Sequence, residues 1–162
     1  MMALIPILTL FAALGSGLMA GLFFAFSSFV MAALARLPAE QGIAAMNSIN
    51  VTILNLSFGL AFFGTAILCL GLGVAGLMRW SDQGSLWLVS GSVLFLVGTI
   101  AVTMIFNVPL NDALAVANPA SPEGAVVWTR YLAEWLPWNH VRMLTSAGAL
   151  ISFILAYARQ AG

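Results

Sequence analysis

The stretch LWLVSGSVLFLVGTIAVTMIF, residues 86–106, decides the fold class of this chain. It contains no charged residue, and it reaches the length of about 20 residues that a helix needs to cross the hydrocarbon core of a bilayer. Apolar and polar residues do not alternate along it, as they would in a strand of a membrane barrel. The stretch therefore predicts a membrane-spanning helix.

Three further apolar stretches have the same character, and they cover residues 4–34, 51–78 and 137–158. We expect Pro109 to end the third span, and Pro137 to occupy the first position of the fourth, where proline is favoured. The chain is 62% hydrophobic and 6% charged, whereas soluble domains carry about 25% charged residues. The sequence predicts an all-α integral membrane protein, a four-transmembrane-helix bundle that forms a single domain over residues 1–162.

Two of the three connections are themselves predicted to be helical. Residues 38–50 place apolar side chains on one side of a helix, and residues 121–136 form an amphipathic helix with tryptophans on its apolar face. Tryptophans at this depth either anchor the helix in the interface or roof a cavity. Both connections lie at the same end of the bundle, called the long-loop end below.

The composition also bounds the partners of this chain. The formal net charge is zero and there is no lysine, so no basic patch is available for nucleic acid. The lipid bilayer is the expected environment, and small-residue helix faces such as Gly17 and Gly21 indicate packing within the bundle or a homo-oligomer. The interiors of the first three spans carry no charged residue, which argues against an ion channel or a proton-driven transporter.

Polar side chains gather at the long-loop end. Because the ends of all the predicted spans concerned lie on one side of the membrane, these side chains can converge on one pocket. They come from the start of the second span, the end of the third and the start of the fourth: Asn50, Asn55, Asn107, Asn111, Asp112, Trp138, Asn139, His140 and Arg142.

Arg142 is the most informative member of this group. Helical spacing puts Trp138 and Asn139 on its face, about 8 Å into the span at 1.5 Å per residue. An arginine at this depth either extends its guanidinium to the interface or finds partners inside the bundle, and we expect Asn107, Asn111 or Asp112 as those partners. The two asparagines could also act as helix caps alone.

His140 is the only histidine of the chain and lies one residue off that face. Its ring either faces lipid headgroups or serves as a base or ligand. A single histidine with no nearby cysteine cannot complete a zinc site. No metal and no cofactor is predicted, with axial ligation of a haem by His140 left as an alternative.

Several motifs together resemble the anthrone oxygenase-like family of four-helix membrane domains. They are GLMAGLFFAFSSFVMAAL at residues 17–34, the asparagine-rich start of the second span, FNVPLND at residues 106–112, and W..WNHVR at residues 135–142. One departure is Met31-Ala32-Ala33-Leu34, where relatives often have Met-Pro-Ala-Leu. The resemblance implies a protein of the bacterial inner membrane, and we expect its termini to be cytoplasmic.

The resemblance implies an oxygenase-like activity that converts a lipophilic anthrone- or quinol-type molecule with dioxygen. Such chemistry needs an apolar slot, a base and donors for a developing oxyanion. The residues that could supply these functions are His140 as base, Arg142, Asn107, Asn111 and Asn139 as donors, Trp135 and Trp138 as walls, and Asn50 and Asn55 as further binding residues. Two alternatives stay open: non-catalytic binding or transport of a small lipophile, and a structural membrane protein whose polar cluster joins its helices.

Overall fold

The computed structural model describes residues 4–160, and within that range it is all-helical. Four helices are long and apolar enough to span a membrane: α1 (Leu4–Leu34), α3 (Leu56–Met78), α4 (Ser85–Ala115) and α5 (Pro122–Gln160). A fifth helix, α2 (Ala39–Thr52), forms the first connection. The predicted helical membrane bundle is confirmed.

The four long helices form a ring in which α1 packs along α5, α5 along α4, α4 along α3, and α3 along α1. Neighbouring helices run antiparallel, because the connections are short compared with the helices. Large side chains fill the centre, with Met19, Phe62, Phe95 and Phe153 buried. The outer surface is apolar as well, since the helices expose many leucines, valines and phenylalanines, as a lipid-facing surface requires.

Small residues set how closely the helices approach. Gly98 of α4 lies directly against Thr145 of α5, and Gly91 lies against the Phe153 ring. Thr99 and Ser146 share a hydrogen bond of 2.8 Å between these same helices. The Thr99 and Ser146 hydroxyls thus satisfy each other across the α4–α5 contact, inside the bundle.

The second span begins later than residue 51. Val51 belongs to α2, and α3 starts only after Asn55, whose backbone is extended. The side-chain oxygen of Asn55 caps α3 by accepting a hydrogen bond from the Phe58 amide at 3.0 Å. An asparagine is a preferred N-cap because its oxygen satisfies an amide that has no helical partner. The helical structure is interrupted between α2 and α3, and Asn50 lies in the connection helix α2.

Both prolines that were expected to bound spans lie inside helices instead. α4 continues past Pro109 to Ala115, directly after a π-helical segment (Thr103–Asn107) whose wider turn accommodates a residue without an amide proton. α5 runs unbroken through Pro137. Pro137 has no amide proton for the Ala133 carbonyl to accept, and the helix continues without this bond. The amphipathic connection and the fourth span are therefore one helix.

Prediction from the close α4–α5 contact: Gly98→Ala should lower the free energy of unfolding by about 1–3 kcal/mol, since the added methyl group would overlap the branched Thr145 side chain. The measurement is thermal unfolding in detergent, followed by helical circular dichroism. Gly21→Ala is the matched control, because no atom lies within 4 Å of its added methyl group, and alanine is the better helix former. Equal midpoints for the two variants would contradict the close contact.

Candidate functional site

A cavity of ≈ 610 Å³ lies at the long-loop end of the bundle, between α1, α2, the start of α3, the second half of α4 and α5. Its wall is mostly apolar. The aromatic residues on it are Phe23, Phe26, Phe58, Phe62, Phe63 and Trp135, and the polar ones are Asn47, Asn50, Thr103, Asn111, Asp112 and Arg142. A concave, mainly apolar site of this size with a few converging polar groups suits a small organic ligand.

Arg142 is the central polar group of this wall, and only 5% of its surface is exposed. Its Nη2 donates to Asn139 Oδ1 at 2.8 Å, and its Nη1 donates to Thr103 Oγ1 at 3.4 Å. Its Nε has no hydrogen-bond partner. Within residues 4–160 the one ion pair joins Arg130 and Glu134, so no carboxylate neutralises this guanidinium.

Two aromatic rings stabilise the buried charge. The Arg142 guanidinium carbon lies 4.3 Å from the centre of the Phe23 ring and 4.9 Å from that of the Trp135 ring. Cation–π contacts of this kind contribute about 0.5–2 kcal/mol, more when water is excluded. These rings stabilise the cation without neutralising it, so its positive charge can still interact with a ligand.

Asn139 fixes the orientation of Arg142. It is fully buried, and its Nδ2 donates to the Phe23 carbonyl and to Ser27 Oγ, both at 2.8 Å. Because its amide nitrogen is engaged on α1, its oxygen is turned towards Arg142. Asn139 does not line the cavity, so its role is to position the arginine.

A second cluster of hydrogen bonds joins α4 to α5, closer to the long-loop end than Arg142. Asn111 Oδ1 accepts from the Tyr131 hydroxyl at 2.8 Å and from Trp135 Nε1 at 3.0 Å. Asn107 Nδ2 donates to the Trp135 carbonyl at 3.2 Å. These bonds hold the Trp135 ring over Arg142 and make the α5 side of the cavity rigid.

Helix α2 closes the cavity from the loop side. Gly42 lets it approach the Trp128 ring closely, and Asn47 Nδ2 donates to the Leu114 carbonyl of α4 at 3.3 Å. Asn50 Nδ2 is buried and has no hydrogen-bond partner among the described residues. Both asparagines thus present polar atoms to the cavity from a helix that roofs it.

The structure brings some of the expected site residues to the cavity and leaves others away from it. Arg142, Asn111, Asn50 and Trp135 line it, whereas Asn107 and Asn139 support it from behind. The remaining three do not line it: the His140 ring lies 2.9 Å from Ser27 Oγ, Trp138 stacks on Phe106, and Asn55 caps α3. Their assigned roles, including haem ligation by His140, stay predictions.

The expected partners of Arg142 were wrong, and the antiparallel register explains why. Thr99 lies opposite Ser146, so Arg142, one turn earlier on α5, lies opposite Thr103, one turn later on α4. Asn107 donates to the Trp135 carbonyl instead. The predicted end of the third span near Pro109 made Asn107 its terminus. Counting the antiparallel register from a continuous α4 would have pointed to Thr103.

Prediction from the buried Asn139–Arg142 pair: Asn139→Leu should destabilise the protein by about 1.5–3 kcal/mol, because it leaves a buried guanidinium without its shortest hydrogen bond. Adding Arg142→Leu should recover part of this loss, since apolar pairs often replace buried charges without penalty. Thermal unfolding of the two variants and the wild type measures both effects. A single variant as stable as wild type, or a double variant less stable than the single, would contradict this assignment.

Comparison with known proteins identifies the family. The family model described as anthrone oxygenase matches residues 54–152, which include all of α3, all of α4, and α5 as far as Ser152. No curated protein and no solved structure matches the chain. The match includes Thr103, Asn111 and Arg142, the α4 and α5 residues around which the cavity is built. The chain belongs to the anthrone oxygenase family.

Proposed function

We propose that this chain oxidises a lipophilic aromatic molecule of anthrone or quinol type with dioxygen in the cavity beside Arg142. The observation that carries the proposal is the buried guanidinium of Arg142, which lines an otherwise mainly apolar cavity and keeps an N–H without a partner. Membership of the anthrone oxygenase family supports an oxygenase-type role. A flat, apolar substrate with one oxygen that becomes anionic fits both observations.

The reaction balances without a further reactant. An anthrone loses a proton from the methylene of its central ring, and the electron pair delocalises onto the carbonyl oxygen across the ring. The anion transfers one electron to dioxygen, and the resulting radical and superoxide combine, with a proton, to form a hydroperoxide at the former methylene. Loss of the second hydrogen of that carbon with cleavage of the O–O bond gives the quinone and water.

In this proposal Arg142 stabilises the oxygen that becomes negative in the first step. A fixed donor in a site that excludes water acts strongly on developing charge, and removing one such donor typically costs about 10²–10³-fold in rate. Asn139 and Thr103 hold the guanidinium in place, so little reorganisation is needed when charge develops. The aromatic walls hold the ring system of the substrate by stacking and apolar contact.

Prediction for the proposed reaction: Arg142→Leu should lower the turnover number with a dihydroxyanthrone by at least about 10²-fold, because the oxyanion loses its charged donor. Oxygen consumption and quinone absorbance are measured in detergent or nanodiscs, above the spontaneous oxidation in protein-free samples. Arg36→Leu is the matched control, since Arg36 is exposed at the same end of the bundle.

Two results would contradict the proposal. A wild-type protein that does not accelerate oxidation of any anthrone or quinol tested would exclude the reaction. A folded Arg142→Leu variant with wild-type turnover would exclude the role of Arg142.

A further inference from the structure

The proposed reaction requires a base that can reach the substrate methylene. Among the described residues that line the cavity, two carry ionisable side chains, Arg142 and Asp112. His140, the base expected from the sequence, does not line the cavity, and its Nδ1 lies 2.9 Å from Ser27 Oγ. We propose that Asp112 is the general base of this site, an inference that rests on the proposed function.

The separation of the two groups along α4 fits this role. Arg142 contacts Thr103, and Asp112 follows Thr103 by nine residues on the same helix, which corresponds to roughly 13 Å along the axis at 1.5 Å per residue. Side chains on a helix lean towards its N-terminus. The Thr103 and Asp112 side chains lean in the same direction, so this axial separation applies to their side-chain ends as well.

An anthrone spans most of this separation. Its carbonyl oxygen lies about 4 Å from the methylene carbon across the central ring, and a contact of about 3 Å at each end gives a span of about 10 Å between donor and base. The same molecule can thus place its oxygen at Arg142 and its acidic C–H towards Asp112. A base next to Arg142 itself could not do this, because the two reacting positions lie on opposite sides of the ring.

The surroundings of Asp112 suit a base that must work repeatedly. Its backbone is held by the neighbouring Asn111, which accepts hydrogen bonds from Tyr131 and Trp135. The side chain is exposed at the long-loop end, so a proton taken from the substrate can pass to water. Within residues 4–160 no cation forms an ion pair with Asp112, which leaves its lone pairs free.

The proton balance is complete. The Asp112 carboxylate accepts one methylene proton, the C–H electron pair becomes the enolate stabilised by Arg142, and the carboxylic acid releases its proton to water. After the hydroperoxide has formed, the carboxylate takes the second proton of that carbon while the O–O bond breaks. The departing hydroxide leaves as water once it gains a proton.

The experiment compares Asp112→Asn with wild type in the anthrone assay, with Asp82→Asn as the matched control at the opposite end of the bundle. We expect turnover to fall by about 10²–10⁴-fold in Asp112→Asn, with little change in KM, and to stay at the wild-type level in Asp82→Asn. Asp112→Glu should keep part of the activity, and formate should restore turnover to Asp112→Ala. Since Asp112 is exposed, its variants should unfold at the wild-type temperature.

The outcomes separate this inference from the proposed function. If wild type oxidises the anthrone and Asp112→Asn does so at an equal rate, Asp112 is not the base, although the proposed function stands. The same conclusion follows if His140→Gln abolishes turnover while Asp112→Asn retains it. If wild type oxidises no anthrone, the proposed function fails and the base assignment falls with it.

Discussion

The burial of one positive charge without a neutralising carboxylate is the constraint on which this structure depends. An arginine inside a membrane bundle costs about 2.5–3.5 kcal/mol even by the mildest scales. Arg142 is tolerated because Asn139, Thr103 and two aromatic faces replace part of its hydration. None of these partners is an anion, and Arg142 lines the cavity, so a ligand there can interact with its charge.

The rest of the fold supports this arrangement. Close α4–α5 packing at Gly98 sets the register that brings Thr103 to Arg142, and Asn139 ties the same point to α1 through the Phe23 carbonyl. The continuous helix α5 also carries Trp135, which lies closer to the long-loop end than Arg142 and donates from its indole to Asn111. The extended backbone at Asn55 separates α2 from α3, which allows α2 to cover the cavity rather than extend the membrane span.

The sequence was sufficient for the fold class, because length and hydropathy alone determine which segments can cross a bilayer. It was also sufficient to single out Arg142 and the long-loop end. It misplaced the helix ends at Pro109 and Pro137, because a proline shows only that an amide proton is missing, whereas a helix can continue through a proline, as α4 does after a π-helical turn. Those two errors hid the antiparallel register, and with it the contact between Thr103 and Arg142.

Arg142 should bind an anionic oxygen, and a hydroxyanthraquinone whose phenol ionises with a visible colour change tests this directly. The measurement is the absorption spectrum of the bound quinone at neutral pH, for wild type and Arg142→Leu. We expect the phenolate spectrum for the quinone bound to wild type and the neutral phenol spectrum for the quinone bound to the variant. A quinone that binds to both proteins with the same neutral spectrum would contradict it.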